Sequence, residues 1–228
     1  ITEVYEQLPV SIPTAEQINA SGRYVAPGFV DIHVHGGAGH DFLTGSEESN
    51  AIICRTHLMG GTTTIVPTLS TSSTEAFENA LTVLARSAGT IRDGARIAGV
   101  HMEGPYFAQS QRGAQSADFI RNPDPDEYLH LLDKHPNILR WAAAPELPGA
   151  LQMGRALSRR GVFLSIGHSD ALFEEVLSAY ENGYNCITHL YSATSMVKRI
   201  NAFRHAGIVE AAFYLDGMTV EIIADGKH

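Results

Sequence analysis

Seven short apolar runs rich in β-branched residues recur along the chain with helix-patterned stretches between them, and this alternation limits the fold more than any other feature. The runs cover 28–35, 62–68, 96–101, 138–143, 162–166, 185–189 and 219–224. Helical spacing of Ala, Leu and Glu marks 75–87, 125–134, 149–160 and 171–182 between them. Asp170 ahead of ALFEEVL predicts a helix N-cap, and Gly183 predicts the stop of the same helix. Continuous apolar strands alternating with helices predict an α/β fold with a parallel sheet buried on both faces. Seven strand–helix units in one row favour a (β/α)8 barrel over an open sheet. No glycine-rich dinucleotide fingerprint follows the first strand, which weakens the open-sheet alternative. The chain has 228 residues, 44% of them hydrophobic, enough for one barrel-sized core. A barrel of eight strands does not close on seven, so either one strand is hidden in the pattern or the sequence is part of a longer chain. Residues 1–23 fit no strand–helix unit.

Charge and cysteine usage narrow the partners. The formal net charge is −9, with 16 Lys and Arg and no cationic cluster among them, which argues against a nucleic-acid partner. A phosphorylated small molecule remains compatible, because one Arg or a helix N-terminus holds a phosphate. No apolar run reaches the roughly 18 residues of a membrane span. ITEVYEQLPV lacks the basic segment and apolar core of a signal peptide. Cys54 and Cys186 stand far apart and read as buried thiols in a reducing compartment. The expected address is the cytoplasm, with no membrane partner.

Histidine is the unusual entry, with 11 residues. In a barrel the reactive groups lie at the C-terminal ends of the strands. The first run ends Asp31-Ile32-His33-Val34-His35, and alternate strand residues share a face, so His33 and His35 can reach one metal. The third leads into His101-Met102-Glu103-Gly104-Pro105, the fifth into Gly167-His168, the sixth into Thr188-His189 and the seventh into Asp225-Gly226-Lys227-His228. A lone His at a strand end is more often a hydrogen-bonded loop residue than a ligand. Imidazoles and a carboxylate arriving from several strands together suit a divalent cation, zinc or iron foremost. His40, His57, His130 and His135 read as loop or helix residues. His101 shares a strand face with Glu103 and stays an outside possibility.

APGFVDIHVHG, HMEGPYF, SIGHSDA, THLYSATS and IIADGKH occur in this order, with GTTTIVPTLST and AAAPE between them. The set resembles the signature of the N-acetylglucosamine-6-phosphate deacetylases, a branch of the amidohydrolase superfamily, over nearly the whole of 25–228. The His-x-His pair marks the superfamily, whereas the Glu-Gly-Pro and Asp-Gly-x-His steps mark the deacetylase branch. The resemblance implies a TIM-type barrel over 24–228 carrying strands one to seven. It also implies that 1–23 is a linker or a remnant of the family's accessory β-sandwich domain, most of which is absent. Glu103, His168 and His189 match the main metal ligands, and His33 and His35 match the pair that holds a second metal, giving one or two divalent ions per subunit. Ser192 and Ala193 match positions whose backbone holds the sugar phosphate. Arg204 resembles an arginine reaching the phosphate of the neighbouring subunit in a homodimer. Gln115 stands where some relatives place a histidine that polarises the acetyl carbonyl, and His228 matches a substrate-contacting histidine. The family's general-base aspartate follows strand eight and is therefore expected after His228, leaving no catalytic carboxylate of that kind within the chain.

The activity so implied is metal-dependent deacetylation of N-acetylglucosamine 6-phosphate to glucosamine 6-phosphate and acetate, in amino-sugar catabolism. The rivals are a dihydroorotase-like or D-aminoacylase-like amidohydrolase and an inactive truncated barrel that binds metal or sugar phosphate only. Many of the former bridge two metals with a carboxylated lysine, and no lysine stands at a suitable strand end. A metal-free sugar-phosphate isomerase barrel fits the convergent histidines poorly.

Overall fold

The computed structural model describes residues 18–227. Most of the expected sandwich remnant, and the expected substrate contact at His228, lie outside the described residues.

Seven strands form the continuous path of one parallel sheet, and their spatial order is the chain order. They are β1 (Phe29–Val34), β2 (Thr62–Ser70), β3 (Val100–Glu103), β4 (Ile138–Ala143), β5 (Phe163–Ile166), β6 (Tyr184–Ile187) and β7 (Thr219–Val220). Each pairs in parallel with its predecessor. The helices are α1 (Glu47–Met59), α2 (Thr74–Thr90), α3 (Pro125–Lys134), α4 (Ala150–Ser158), α5 (Phe173–Glu181) and α6 (Ile208–Tyr214). A sheet wound in a single direction curls, and here the first and last strands come within side-chain reach: His33 on β1 and Glu221 just past β7 meet at 3.1 Å. Among the described residues β1 and β7 are the two ends of the pairing path.

The central strands are buried on both faces, as continuous apolar runs require. Val100 to Glu103 are all buried, and β4 exposes only Leu139 along its length. β1 departs from that expectation, with Phe29 71% and Val30 63% exposed, because it has a ladder partner on one side only. Trp141 and Tyr106 stack at 5.9 Å, both fully buried, beside Tyr128, Tyr184 and the apolar face of α2 (Phe77, Leu81, Leu84). Each such side chain contributes about 1.5–3 kcal/mol through burial.

Helix starts follow local chemistry. The Ser46 hydroxyl accepts from Ser49 N, and Ser49 Oγ accepts from Ser46 N in return, closing the first turn of α1. Asp124 caps α3 with Pro125 in its first turn. The Asp170 cap is a correction. α5 begins after Leu172, whose N–H is taken by the Glu175 carboxylate at 2.7 Å, while Asp170 pairs with Lys198. An extended Leu172, bridged to Gly207, separates the two. The run at 96–101 also divides: Arg96–Ile97 pair with β2, and β3 starts only at Val100. A Cβ at Gly99 would lie 2.9 Å from Leu139 Cβ and 3.0 Å from Asn137 O, so the chain passes β4 there too closely for a side chain. Among the described residues no helix is long and apolar enough to cross a membrane.

A candidate metal centre at the strand ends

Five residues from four strands meet above the C-terminal rim. His33 lies on β1 and His35 just beyond it, Glu103 is the last residue of β3, and His168 and His189 each stand two residues past β5 and β6. Glu103 Oε1 lies 3.1 Å from His33 Nε2 and 3.2 Å from both His168 Nε2 and His189 Nε2, while Oε2 lies 3.2 Å from His35 Nε2. The rings also face one another, at 3.3 Å between the Nε2 atoms of His33 and His35 and 3.2 Å between those of His168 and His189. The five form two trios sharing Glu103: His33–His35–Glu103 and Glu103–His168–His189.

Local sequence explains the placement. Gly104 has φ +104°, and a Cβ there would stand 2.2 Å from Thr71 Oγ1, so a glycine must follow Glu103 for the chain to turn. His168 and His189 adopt left-handed backbone, φ 47° and 31°, which turns both rings back over the sheet. His33 N is fixed by the Asp31 carboxylate at 3.0 Å.

The protons decide what this arrangement can hold. His168 Nδ1 faces the carbonyl of Gln111 at 3.0 Å and His189 Nδ1 that of Ser192 at 2.9 Å. A carbonyl oxygen only accepts, so both Nδ1 atoms carry a proton, and in the neutral tautomer that leaves both Nε2 atoms with lone pairs toward the centre. His33 Nδ1 donates to Glu221 Oε2. Burial would raise the Glu103 carboxyl, but the imidazoles of His168, His189, His33 and His35 hold it well below the usual carboxylate range. Acceptors thus point at acceptors around a buried anion, the environment of a cation with nitrogen and oxygen ligands. The donor set fits a divalent metal in either trio, and the Nδ1 partners of His168, His189 and His33 favour the matching tautomer.

Further groups complete the rim. Gln115, 5% exposed, takes Thr71 N on Oε1 at 2.8 Å and donates Nε2 to Glu103 Oε2 at 2.7 Å. Ser192 and Ala193 form the loop after β6, Ala193 accepting from Ser169 N at 3.1 Å. Arg204 is exposed on a hairpin of Lys198–Ile200 and Phe203–His205, and no hydrogen bond or ion pair joins it to the His/Glu cluster among the described residues. Asp225 accepts from Lys227 N at 2.9 Å. His101 lies beneath the cluster, fully buried, edge-on to His33, with Nδ1 3.3 Å from Thr68 Oγ1. Burial, reinforced by Arg140 and His33, holds it well below its ordinary pKa, so it is neutral. Sequence reasoning missed Glu221 and Arg140. Both are buried, they form an ion pair, and Glu221 also accepts from His189 N at 3.2 Å. The one available signal was a charge inside each apolar run. A cavity of about 1000 Å3 opens over the cluster, lined by its five residues with Gln115, Glu221 and Asp225.

A model of the Amidohydrolase family matches residues 24–227. The N-acetylglucosamine-6-phosphate deacetylase of Lysinibacillus sphaericus is 32% identical over 220 residues, covering 93% of this chain and 54% of the relative. The crystal structure of the deacetylase of that name from Pasteurella multocida superposes with a TM-score of 0.86 at 30% identity, over 97% of this chain and 57% of that one. An alanine variant from Mycobacterium smegmatis in complex with N-acetyl-D-glucosamine-6-phosphate gives 0.81 at 32% identity, over 89% and 51%. The chain spans about half the length of the curated relatives it matches.

Proposed function

This chain belongs to the amidohydrolase family, and we propose that its protein hydrolyses the acetamide of N-acetylglucosamine 6-phosphate, releasing acetate and glucosamine 6-phosphate in amino-sugar catabolism. The observation that carries the reading is the facing of the Nε2 atoms of His168 and His189 across the Glu103 carboxylate, with both Nδ1 atoms taken by backbone carbonyls. Glu103, His168 and His189 would hold one divalent ion, zinc or iron, and His33 and His35 with Glu103 would hold a second. Such an ion lowers the pKa of a bound water to about 7 and draws electron density from a carbonyl oxygen.

The chain's own residues do the rest. Gln115 has two amide N–H bonds, one of them given to Glu103, and the other serves the acetyl oxygen. The backbone of Ser192 and Ala193 receives the phosphate, whose remote binding energy positions the acetamide. Arg204 reaches the phosphate of a second copy in a homodimer. Tyr191, Met196, Val197 and Phe203 around the hairpin are each more than half exposed, which supports a covered face there. His228 contacts the sugar.

The full barrel has eight strands, the eighth closing the seam between β1 and β7 and bringing the general-base aspartate. Support comes from the exposed apolar edges of that seam, Phe29 and Val30 on one side and Ile222 on the other. Residues 1–23 belong to an accessory β-sandwich or its linker, and 24–228 to the barrel. Free, buried Cys54 and Cys186 support a cytoplasmic address. A carboxylated-lysine chemistry is disfavoured because Glu103 already bridges the two trios.

Metal analysis of the full-length protein, paired with acetate release from N-acetylglucosamine 6-phosphate and its galactosamine epimer, tests the proposal. Turnover should vanish on complete metal removal and return with zinc or iron. Turnover that survives removal would overturn it.

A further inference from the structure

We infer that Glu221, braced by Arg140, is the positioning residue that makes the His33–His35–Glu103 trio a cation site, by fixing His33 as an Nε2 donor. The inference deepens the two-cation reading above and rests on it. The four imidazoles differ in what holds the far side of the ring. His168 and His189 give Nδ1 to backbone carbonyls, and His35 Nδ1 lies 3.0 Å from the Ser70 hydroxyl. Only His33 has a carboxylate there, Glu221 Oε2 at 3.1 Å. A carboxylate makes the Nδ1–H obligatory and increases the donor strength of Nε2, whereas a hydroxyl accepts either tautomer.

Glu221 is itself immobilised. It is 8% exposed and paired with Arg140, 4% exposed, whose guanidinium also binds Ser165 Oγ at 3.2 Å and Ile32 O at 3.1 Å. Ile32 directly precedes His33, so one guanidinium fixes both the strand that carries the ring and the carboxylate that orients it. Glu221 Oε2 also accepts from His189 N. It therefore touches both trios, but the metal-facing ring of only one.

A purely structural pair would staple β4 to the seam and treat both trios alike. The test is a cobalt(II) titration of metal-stripped full-length protein by calorimetry and visible absorption, comparing wild type, Glu221→Gln and the double variant Arg140→Met/Glu221→Gln. The double variant removes the buried guanidinium that the single one leaves unpaired, so that folding and cation affinity are read separately. We expect two binding steps in wild type, and in both variants one step weakened about 10- to 100-fold with the other nearly unchanged. Two wild-type steps in either folded variant, or equal weakening of both, would overturn the inference. Wild type that takes up fewer than two cobalt ions would instead overturn the two-cation reading beneath it.

Discussion

The Nε2 atoms of His168 and His189 face each other at 3.2 Å while each ring's other nitrogen is committed to a backbone carbonyl. Two lone pairs at that distance repel unless something positive lies against both. Glu103 cannot serve, being an ionised acceptor. Burial alone would lower the His33 pKa, but its hydrogen bonds to Glu103 and Glu221 raise it to about 9. Behind the His168–His189 pair stand only the two backbone carbonyls.

Glu103 is common to both trios, and its replacement removes the anion from each. Glu103→Gln is expected to leave the folded protein with less than about a tenth of its metal, since the amide supplies one neutral donor in place of a bridging carboxylate. Inductively coupled plasma analysis after desalting checks this. Metal retained at wild-type stoichiometry would show that the cation is held elsewhere.

How much of this centre was legible depended on whether strand periodicity or tertiary closure did the placing. His33 and His35 follow from the alternation of a strand, and Glu103, His168 and His189 from their places at strand ends. Arg140 and Glu221 were not legible, because a charge at every second strand position normally points to solvent. A curled sheet gives that face a closed interior instead, and there the two charges neutralise each other. The seventh strand was overestimated for the same reason. β7 ladders with β6 for two residues, after which the chain serves Glu221 to the cluster instead of extending the sheet. The Asp170 cap failed because Lys198, distant in sequence, takes its carboxylate.

Gln115 connects the loop after β3 to Glu103. Gln115→Leu leaves Thr71 N–H without its acceptor and Glu103 Oε2 with His35 alone, a loss of about 1–3 kcal/mol in stability. If the second amide N–H also meets the acetyl oxygen, kcat falls about 100-fold with metal content unchanged. Gln115→His, which keeps a donor, should recover most of it. A kcat within a few-fold of wild type in the Leu variant would confine Gln115 to holding Glu103.

Glu127 braces the same loop from outside the centre. Its carboxylate accepts from Thr74 Oγ1 at 2.6 Å, Tyr106 Oη at 2.9 Å and Arg121 Nε at 3.0 Å. Burial would raise its pKa, but Arg121 and Thr74 bring it below the ordinary 4.5. A depressed carboxylate contributes stability that is complete above the unfolded value and is lost as pH falls through the folded one. Wild type should therefore lose stability below pH 4.5 more steeply than Glu127→Gln, which should be weaker by about 1–3 kcal/mol at neutral pH. Urea unfolding across that range checks it, and parallel curves for the two proteins would remove Glu127 from the account.

Trp141, the single tryptophan, donates Nε1–H to Gly104 O at 2.9 Å, immediately after Glu103. Its ring stacks on Tyr106, so one side chain anchors both the turn and the start of the loop. Trp141→Phe keeps most of the apolar volume and deletes only the donor, leaving a buried carbonyl unpaired at a cost of about 1–3 kcal/mol. For a domain of this size that corresponds to a fall in Tm of roughly 2–10 °C. Trp141→Ala adds a cavity and should cost about 3–5 kcal/mol. Because Gly104 fixes where the Glu103 carboxylate points, the Phe variant should also bind cobalt(II) more weakly by several-fold. Reduced stability with cobalt affinity intact would mean that Glu103 is held by its histidines and Gln115 alone, and that the Trp141 bond serves the core only.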